Sequence, residues 1–350
     1  MTERFKRLIR QFQVLKVDAL LVTDDINIRY LTGFPAHDSW LLVSGRGIFY
    51  ITDARYAQEA KKSLKGIEVV QLQTSLSDAL ASLAKRLGTL RLGVDEAHIT
   101  VSLHKKLRAD ILKKTVFVPA DGCVEALRMV KDLHEIAAIK EALKVNLAAY
   151  RFLASKILPG RTEEDILDDL EGFYRQERVT AAFAPIIASG PNSAYPHARV
   201  TGRKLRAGEP VLVDMGVSKN AYNSDLTRMF FLGKMPPSYT KVLSILKDSQ
   251  AAAIKVIRPG MAAKEVDAAA RNVLEKHDLA QYFSHSLGHG VGLEIHEMPR
   301  LSNRSGAVLS ENMVFTVEPG VYFPGRYGVR LEDMVRVTPK GCEVLSVDQH

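Results

Sequence analysis

In the first third of the chain, the spacing of hydrophobic residues alternates between the period of a strand and that of a helix. Each change predicts a new short element. Short apolar runs predict strands at 18–24, 67–72, 91–94 and 115–118, and a hairpin over 39–52 that turns at 44–47. Helical spacing predicts an amphipathic N-terminal helix and further helices at 54–64, 77–87 and 100–112. This alternation predicts a compact α/β domain over residues 1–125, followed by a second domain over 126–350.

A repeat marks the second domain. A long helical pattern at about 132–157 ends at Pro159-Gly160, which is a helix stop signal. Segment 157–166 resembles segment 257–266, and in each case one helix precedes the Pro-Gly pair and another follows it. A repeat that occurs only twice predicts two equivalent halves related by a pseudo-twofold axis, with a cleft between them. Chance similarity around Pro-Gly is the alternative.

The segment 284–297 contains three histidines and three glycines. Because glycine lets the backbone approach a bound group, we expect these glycines to leave room for a substrate beside His289. His296-Glu297 lacks the second histidine of a zincin helix, and the glycine spacing differs from that of a dinucleotide-binding turn. A Gly-rich turn with incidental histidines is the alternative.

Four apolar segments of the second domain each carry an acid. Predicted strands cover 211–216, 222–231, 313–320 and 328–335, the first two joined as a hairpin by a loop at 218–220, and their acids are Asp214, Asp225, Glu318 and Glu332. Asp225 is expected to share a polar strand face with Asn223 and Thr227. One such acid alone is better explained by an ion pair or a solvated edge. Four buried carboxylates near a histidine repel one another unless a multivalent cation holds them.

The donor types limit the choice of metal. Carboxylates and an imidazole, with no thiolate, favour Mn²⁺, Co²⁺ or Zn²⁺. Five ligands exceed what one catalytic zinc ordinarily takes, so we expect two divalent ions per subunit.

Composition changes this picture little. The 350 residues are 46% hydrophobic and 25% charged, which is typical of a soluble globular protein. The two cysteines are far apart, so neither a disulfide framework nor a thiolate metal site is expected. The net charge of +8 is spread along helices without a dense basic run, so no nucleic-acid partner is expected. With no signal core and no apolar run of roughly 20 residues, we expect a cytoplasmic protein without a membrane partner.

The ordered set Asp214, Asp225, His289, Glu318 and Glu332 closely resembles the metal ligands of the pita-bread metallopeptidases, specifically the Xaa-Pro dipeptidases (prolidases) and Xaa-Pro aminopeptidases. The flanking sequences match as well: NSDLTR at 223–228, GHGVG at 288–292, VEPG at 317–320 and RLED at 330–333. Segments 30–34 and 52–56 are similar to recurring segments of the creatinase-like N-terminal domain. The resemblance covers nearly the whole chain and implies an α+β fold, with a smaller creatinase-like domain before a duplicated pita-bread domain.

The resemblance also implies roles for single residues. Asp225 and Glu332 would bridge the two ions, Asp214 would complete one coordination shell, and His289 with Glu318 would complete the other. A metal-bridging hydroxide would attack the scissile carbonyl, and Glu318 would accept the proton. His197 and His296 match the two active-site histidines of the family, which contact the substrate and the developing tetrahedral centre.

Three further residues are substrate-binding candidates. Arg300 resembles the arginine with which prolidases hold the C-terminal carboxylate of the dipeptide, although a solvated surface arginine is an equal alternative. Arg330 lies two residues before Glu332, so the two are expected to share a strand face and form an ion pair. Tyr222 is the third candidate.

The predicted function is dimetal-dependent hydrolysis of Xaa-Pro bonds in a proline-containing dipeptide or short peptide, by a homodimer. Loop 35–39 would cap the site of the partner subunit, as in related dimers. Arg300 favours a dipeptidase, and an Xaa-Pro aminopeptidase that acts on longer peptides stays open. So does a non-enzymatic binding module on the same fold. A methionine aminopeptidase would not need the first domain, and creatinase lacks the complete ligand set.

Overall fold

Six short strands form one mixed sheet in the N-terminal third of this computed structural model, which describes residues 2–88, 91–110 and 115–347. The strands are β1 (Ala19–Val22), β2 (Trp40–Ser44), β3 (Gly47–Thr52), β4 (Glu68–Gln71), β5 (Arg91–Val94) and β6 (Val116–Pro119). Their order is β4-β3-β2-β1-β5-β6. The pairs β1–β2 and β2–β3 are antiparallel, and the remaining pairs are parallel. The sheet lies in the first of two units, Met1–Arg128 and Met129–His350.

Within the described part of this unit, six helices accompany the sheet: α1 (Glu3–Leu15), α2 (Asp25–Thr32), α3 (Ala54–Ser63), α4 (Leu76–Leu87), α5 (Val101–Asp110) and α6 (Cys123–Met129). The predicted strands, hairpin and helices of this unit are confirmed within one or two residues at most ends. Residues 111 and 112 of the predicted fifth helix lie outside the described residues. The hydrophobic pattern did not predict α2 or α6. The side chain of Asp24 caps α2, and Gly33, with φ 72°, ends it, so local signals were present.

Four helices and thirteen strands of the described residues belong to the second unit. The helices are α7 (Leu133–Ala154), α8 (Glu163–Gln176), α9 (Pro237–Val256) and α10 (Ala263–Glu275). The strands are β7 (Thr180–Ala181), β8 (Ile186–Ser189), β9 (Pro210–Met215), β10 (Val217–Lys219), β11 (Tyr222–Asn223), β12 (Leu226–Phe231), β13 (Gly288–Gly290), β14 (Glu297–Leu301), β15 (Val314–Val317), β16 (Gly320–Phe323), β17 (Tyr327–Arg330), β18 (Asp333–Thr338) and β19 (Gly341–Val344). Among the described residues, no helix is both long and apolar enough to span a bilayer.

These strands form four small sheets. Their orders are β11-β10-β7, β12-β9-β8, β14-β13-β15-β18-β19 and β16-β17. Helix α7 begins at a capping box made by Asp132 and Glu135, which fixes its first turn beside these sheets. Its buried face packs on β10 and β11, and α10 packs on α9.

The internal repeat is also a structural repeat. The amide of Gly160 donates to Leu205 O at 2.9 Å, and the amide of Gly260 donates to Leu309 O at 2.8 Å. Isolated bridges then join 162 to 204 and 262 to 308, immediately before α8 and α10. The same local pairing therefore starts both helices, as two equivalent halves require.

The predicted long strands are shorter in the structure. Segment 222–231 divides into β11 and β12, which belong to different sheets, and 328–335 divides into β17 and β18. The first hairpin turn lies at Asn220-Ala221 rather than over 218–220, and both residues have positive φ, 52° and 70°. The expected polar face of Asp225 with Asn223 is wrong, because Asp225 lies between two strands and the Asn223 side chain donates to the carbonyls of Gly292 and Leu293.

Candidate metal centre

Three of the four predicted acids lie in two-residue links between strands rather than inside strands. Asp225 lies between β11 and β12, Glu318 between β15 and β16, and Glu332 between β17 and β18. Each link carries the chain from one sheet into another. Asp214 alone lies within a strand, β9, opposite Thr227 of β12. The meeting of sheet ends therefore brings together acids that are up to 118 residues apart in sequence.

His289 faces these acids from β13. Its Nε2 atom lies 3.4 Å from Glu318 Oε1 and 3.6 Å from Asp225 Oδ2. Its Nδ1 atom lies 3.1 Å from the carbonyl oxygen of Gly290, so the tautomer protonated at Nδ1 leaves the Nε2 lone pair toward the carboxylates. One ligand atom each from Asp225, His289 and Glu332 lies within 4.8 Å of the others. A single ion can reach all three.

Burial disfavours the ionised forms of the link carboxylates. Burial, together with the neighbouring carboxylates, raises the pKa of Asp225 and of Glu332 well above their usual values. Burial also raises the pKa of Glu318 to about 8, although the nearby Arg330 acts in the opposite direction. Burial lowers the pKa of His289 to about 4, so its imidazole is neutral at pH 7. The cluster thus offers a neutral imidazole and carboxylates that need a counter-charge.

Arg330 supplies only part of that counter-charge. Its Nη2 donates to Asp214 Oδ2 at 2.5 Å, and its Nε donates to Thr227 Oγ1 at 3.0 Å. The other oxygen of Asp214 is buried and has no hydrogen-bond partner among the described residues. One guanidinium cannot neutralise four carboxylates, so this donor set fits divalent cations of the kind that oxygen and imidazole ligands prefer.

The predicted ion pair between Arg330 and Glu332 is wrong. Glu332 accepts from Thr227 Oγ1 at 2.6 Å, whereas the guanidinium pairs with Asp214. The prediction assumed that residues 330 and 332 share one strand face, but β17 ends at Arg330 and the link redirects the chain.

The glycines beside His289 serve strand packing rather than substrate clearance, which corrects the sequence interpretation. A Cβ atom at Gly288 would lie 1.9 Å from the carbonyl oxygen of Thr316, and one at Gly290 would lie 2.2 Å from that of Met298. A Cβ atom at Gly292 would lie 2.5 Å from Glu297 Oε1. These glycines let the neighbouring backbone and a side chain approach closely.

A cavity of about 960 Å³ opens onto the cluster. Nine of the ten predicted site residues line it: His197, Asp214, Asp225, His289, His296, Arg300, Glu318, Arg330 and Glu332. His197, His296 and Arg300 are exposed, and the His296 ring lies 4.3 Å from the His289 ring between centroids. Tyr222 is not among the lining residues, since its hydroxyl lies 3.1 Å from Glu135 Oε1 on α7. The substrate-binding role of Tyr222 stays a prediction.

Comparison with models of known protein families shows to which family the chain belongs. Residues 137–339 match the model of metallopeptidase family M24, and residues 4–130 match that of the Creatinase/Prolidase N-terminal domain. The chain belongs to metallopeptidase family M24. It is therefore an enzyme of a family that uses divalent metal ions, and the α+β fold class, with a creatinase-like domain before a pita-bread domain, is confirmed. The alternative of a non-enzymatic binding module is not supported.

Individual relatives of this M24 peptidase match over nearly their full length. A protein described as "Uncharacterized peptidase YqhT", from Bacillus subtilis, is 34% identical over 98% of this chain and 97% of its own. The structure of an Xaa-Pro dipeptidase from Bacillus anthracis has a TM-score of 0.95 at 35% identity, covering 99% of this chain and 97% of the other. An X-Pro aminopeptidase structure from Thermotoga maritima has a TM-score of 0.88 at 32% identity, covering 97% and 98%.

Several residues that hydrogen-bond to the side chains of this M24 centre were not identified from the sequence. Tyr322 OH accepts from Arg330 Nη1 at 2.9 Å and lies 2.9 Å from the Nε2 atom of His285, which also lines the cavity. Thr316 Oγ1 donates to Glu318 Oε1 at 3.1 Å and accepts from the His289 amide at 3.1 Å. The available signals were a hydroxyl within an apolar strand for Thr316 and a histidine in the same Gly-rich segment for His285.

Proposed function

We propose that this M24 enzyme hydrolyses Xaa-Pro bonds, with a preference for Xaa-Pro dipeptides, and that it uses two divalent ions per subunit. The observation that carries the proposal is the meeting of Asp214, Asp225, His289, Glu318 and Glu332 in one cavity that Arg300 also lines. Five ligand side chains exceed the needs of one ion, which supports two. The names of the relatives support the Xaa-Pro substrate class.

The five ligand side chains would have different roles in binding the ions. Asp225 and Glu332 would be ligands common to both ions, Asp214 would be a further ligand of one, and His289 and Glu318 would be further ligands of the other. When bound, the ions would supply activation of water and polarisation of the scissile carbonyl. Arg330 keeps one oxygen of Asp214 occupied, and its other oxygen remains available as a ligand atom.

The chain's own groups move the proton and hold the substrate. Glu318 would take a proton from the attacking water and pass it to the leaving nitrogen, as a carboxylate within reach of both can do. The exposed His197 and His296 would hydrogen-bond the substrate carbonyl as it becomes tetrahedral. A proline ring has no amide N–H, so recognition depends on the peptide's ends rather than on strand-like pairing.

Arg300 decides the preference between the two Xaa-Pro activities. Its exposed guanidinium lines the same cavity as the metal-binding cluster, and its charge helps to hold the pKa of His296 below the usual value, after the larger effect of burial. A cation in the same cavity as the cluster suits the free carboxylate of a dipeptide. The alternative, an Xaa-Pro aminopeptidase, is kept because one similar structure carries that name.

Three substrates test the assignment. We expect the enzyme to cleave Ala-Pro faster than Ala-Pro-amide and faster than a longer Ala-Pro peptide. We also expect Arg300→Met to lower kcat/KM for Ala-Pro by about 10–100-fold, because it removes a charge-assisted carboxylate contact. Arg304→Met, at a nearby exposed arginine, is the matched control. Equal rates on the three substrates would favour the aminopeptidase, and an unchanged Arg300→Met would reject the carboxylate contact.

Other properties remain predictions. The donor set is compatible with Mn²⁺, Co²⁺ or Zn²⁺, and metal analysis of protein purified without chelator identifies the ion. The homodimer and the capping of a partner's site by loop 35–39 are proposed on the family resemblance, and the cytoplasmic location on the sequence features described above.

A further inference from the structure

The turn between His289 and His296 folds back onto the metal-binding cluster. The imidazole of His289 belongs to that cluster and lies just before the turn. The His296 ring lies against the same imidazole, at 69° to its plane. His296 is exposed, and the position of its ring depends on how this turn is held.

A buried asparagine holds the start of the turn. The backbone amide of Asn223 donates to Gly292 O at 2.9 Å, and its side-chain amide donates to Gly292 O at 3.1 Å and to Leu293 O at 3.0 Å. Within the turn, the amide of Gly292 donates to Glu294 O at 3.0 Å. These contacts fix residues 292–294 but leave the segment that carries His296 to be held from its other end.

A buried ion pair holds that other end. Lys131 Nζ donates to Glu297 Oε1 at 2.6 Å, and the two side chains are only 1% and 6% exposed. The Glu297 carboxylate also packs directly over Gly292, where a Cβ atom would collide with it. Glu297 therefore connects the last residue of the turn to the first, immediately beside His296.

Lys131 is itself rigidly placed. Its amide donates to Asn312 O at 3.1 Å, and Val130 forms a bridge with Met313 just before β15. The next residue, Asp132, caps α7. A buried ion pair is a weak source of net stability compared with apolar residues of similar volume, so its positional effect is the better reason for its presence.

We propose that the Lys131–Glu297 ion pair is a positioning device that closes turn 292–297 and fixes the His296 imidazole beside the metal-binding cluster. Neither residue is among those that line the cavity, so both act through His296. The catalytic consequence rests on the proposed function, whereas the ordering of the turn does not.

Amide hydrogen exchange tests the ordering of the turn. We expect Lys131→Met to accelerate exchange over 291–298 by about tenfold or more, because a local opening becomes easier. Lys131→Arg should restore protection. Lys140→Met is the matched control, since Lys140, on α7, pairs with Glu343 at 2.6 Å but in an exposed position. The double variant Lys131→Met/Glu297→Met leaves no unpaired buried charge, so it should keep the fold and give the same acceleration.

Enzyme kinetics test whether Lys131 affects catalysis by positioning His296. We expect Lys131→Met to lower kcat for Ala-Pro by about 10–100-fold, with KM within about threefold and bound metal unchanged. In a His296→Ala background the same substitution should cause no further loss. Unchanged exchange, loss of metal, or a full additional loss in the His296→Ala background would overturn the inference. If the wild-type protein cleaves no Xaa-Pro peptide, the proposed function fails, and the exchange result still decides whether Lys131 holds the turn.

Discussion

Burial shifts the pKa values of individual side chains at this site in opposite directions: it raises those of the acids and lowers those of the histidines. Burial raises the pKa of Glu318 to about 8 and raises those of Asp225 and Glu332, whereas it lowers the pKa of His285 and His289 to about 4. Without a cation, the carboxylates favour the protonated form and the imidazoles the neutral form. The ionised form of these carboxylates, which is the form that binds metal, is therefore unfavourable until a cation binds.

These opposite pKa shifts predict that the free energy of unfolding of the metal-free protein depends on pH. Between about pH 4.5 and 8 the folded state holds protons on Glu318 that the unfolded chain has released, so the free energy of unfolding falls as pH rises. The histidines act oppositely, but only between about pH 4 and 6.5. From pH 6.5 to 8 the carboxylates dominate, and we expect a loss on the order of 2 kcal/mol from Glu318 alone.

Denaturant unfolding in excess chelator measures this effect. Glu318→Gln should flatten the fall between pH 6.5 and 8, and Mn²⁺ should stabilise the protein more at pH 8 than at pH 6.5, because its ligands must be ionised. A free energy of unfolding that rises across this interval in chelator would contradict the assigned protonation states.

Short links between sheets are the elements that build the site, and they explain what the sequence could and could not predict. The acids were found because a carboxylate in an apolar run is costly. The links were missed because residues 331–332 contain no turn residue, so β17 and β18 appear as one strand. Pro319 after Glu318 was an available signal of a break. A pattern of period two gives no information on which sheet a strand joins, so the partner of Arg330 was predicted wrongly.

The close packing of β13 on β15 gives a prediction at the same scale. Gly288→Ala would place a Cβ atom 1.9 Å from the carbonyl oxygen of Thr316, so the strands must separate. We expect a loss on the order of 3 kcal/mol in the free energy of unfolding. Weaker metal binding should accompany it, because the His289 amide donates to Thr316 Oγ1.

Gly306→Ala is the matched control, since a Cβ atom there has no neighbour within 4 Å and the residue does not have positive φ. Denaturant unfolding and a chelator competition assay compare the two variants. Equal effects would show that the strand contact does not hold the ligand.

At the scale of the whole molecule, two equivalent halves of the second unit meet at the site. Their relation was predictable because a Pro-Gly pair precedes both α8 and α10. The structure adds a matching hydrogen bond in each half, from Gly160 to Leu205 and from Gly260 to Leu309. The five predicted ligands also came from the sequence, through their resemblance to a family. The glycines' contacts and the position of Tyr222 depend on packing between segments far apart in the chain, which residue spacing does not encode.

The most direct test of the account titrates Mn²⁺ into metal-free protein and measures, in the same samples, bound Mn²⁺ per chain and the initial rate of Ala-Pro hydrolysis. We predict that the rate rises as occupancy approaches two ions per chain. Asp225→Asn, which alters a proposed bridging ligand, should bind fewer ions and lose activity at least about 100-fold. A rate independent of Mn²⁺, or two bound ions with no cleavage of Ala-Pro, would contradict the account.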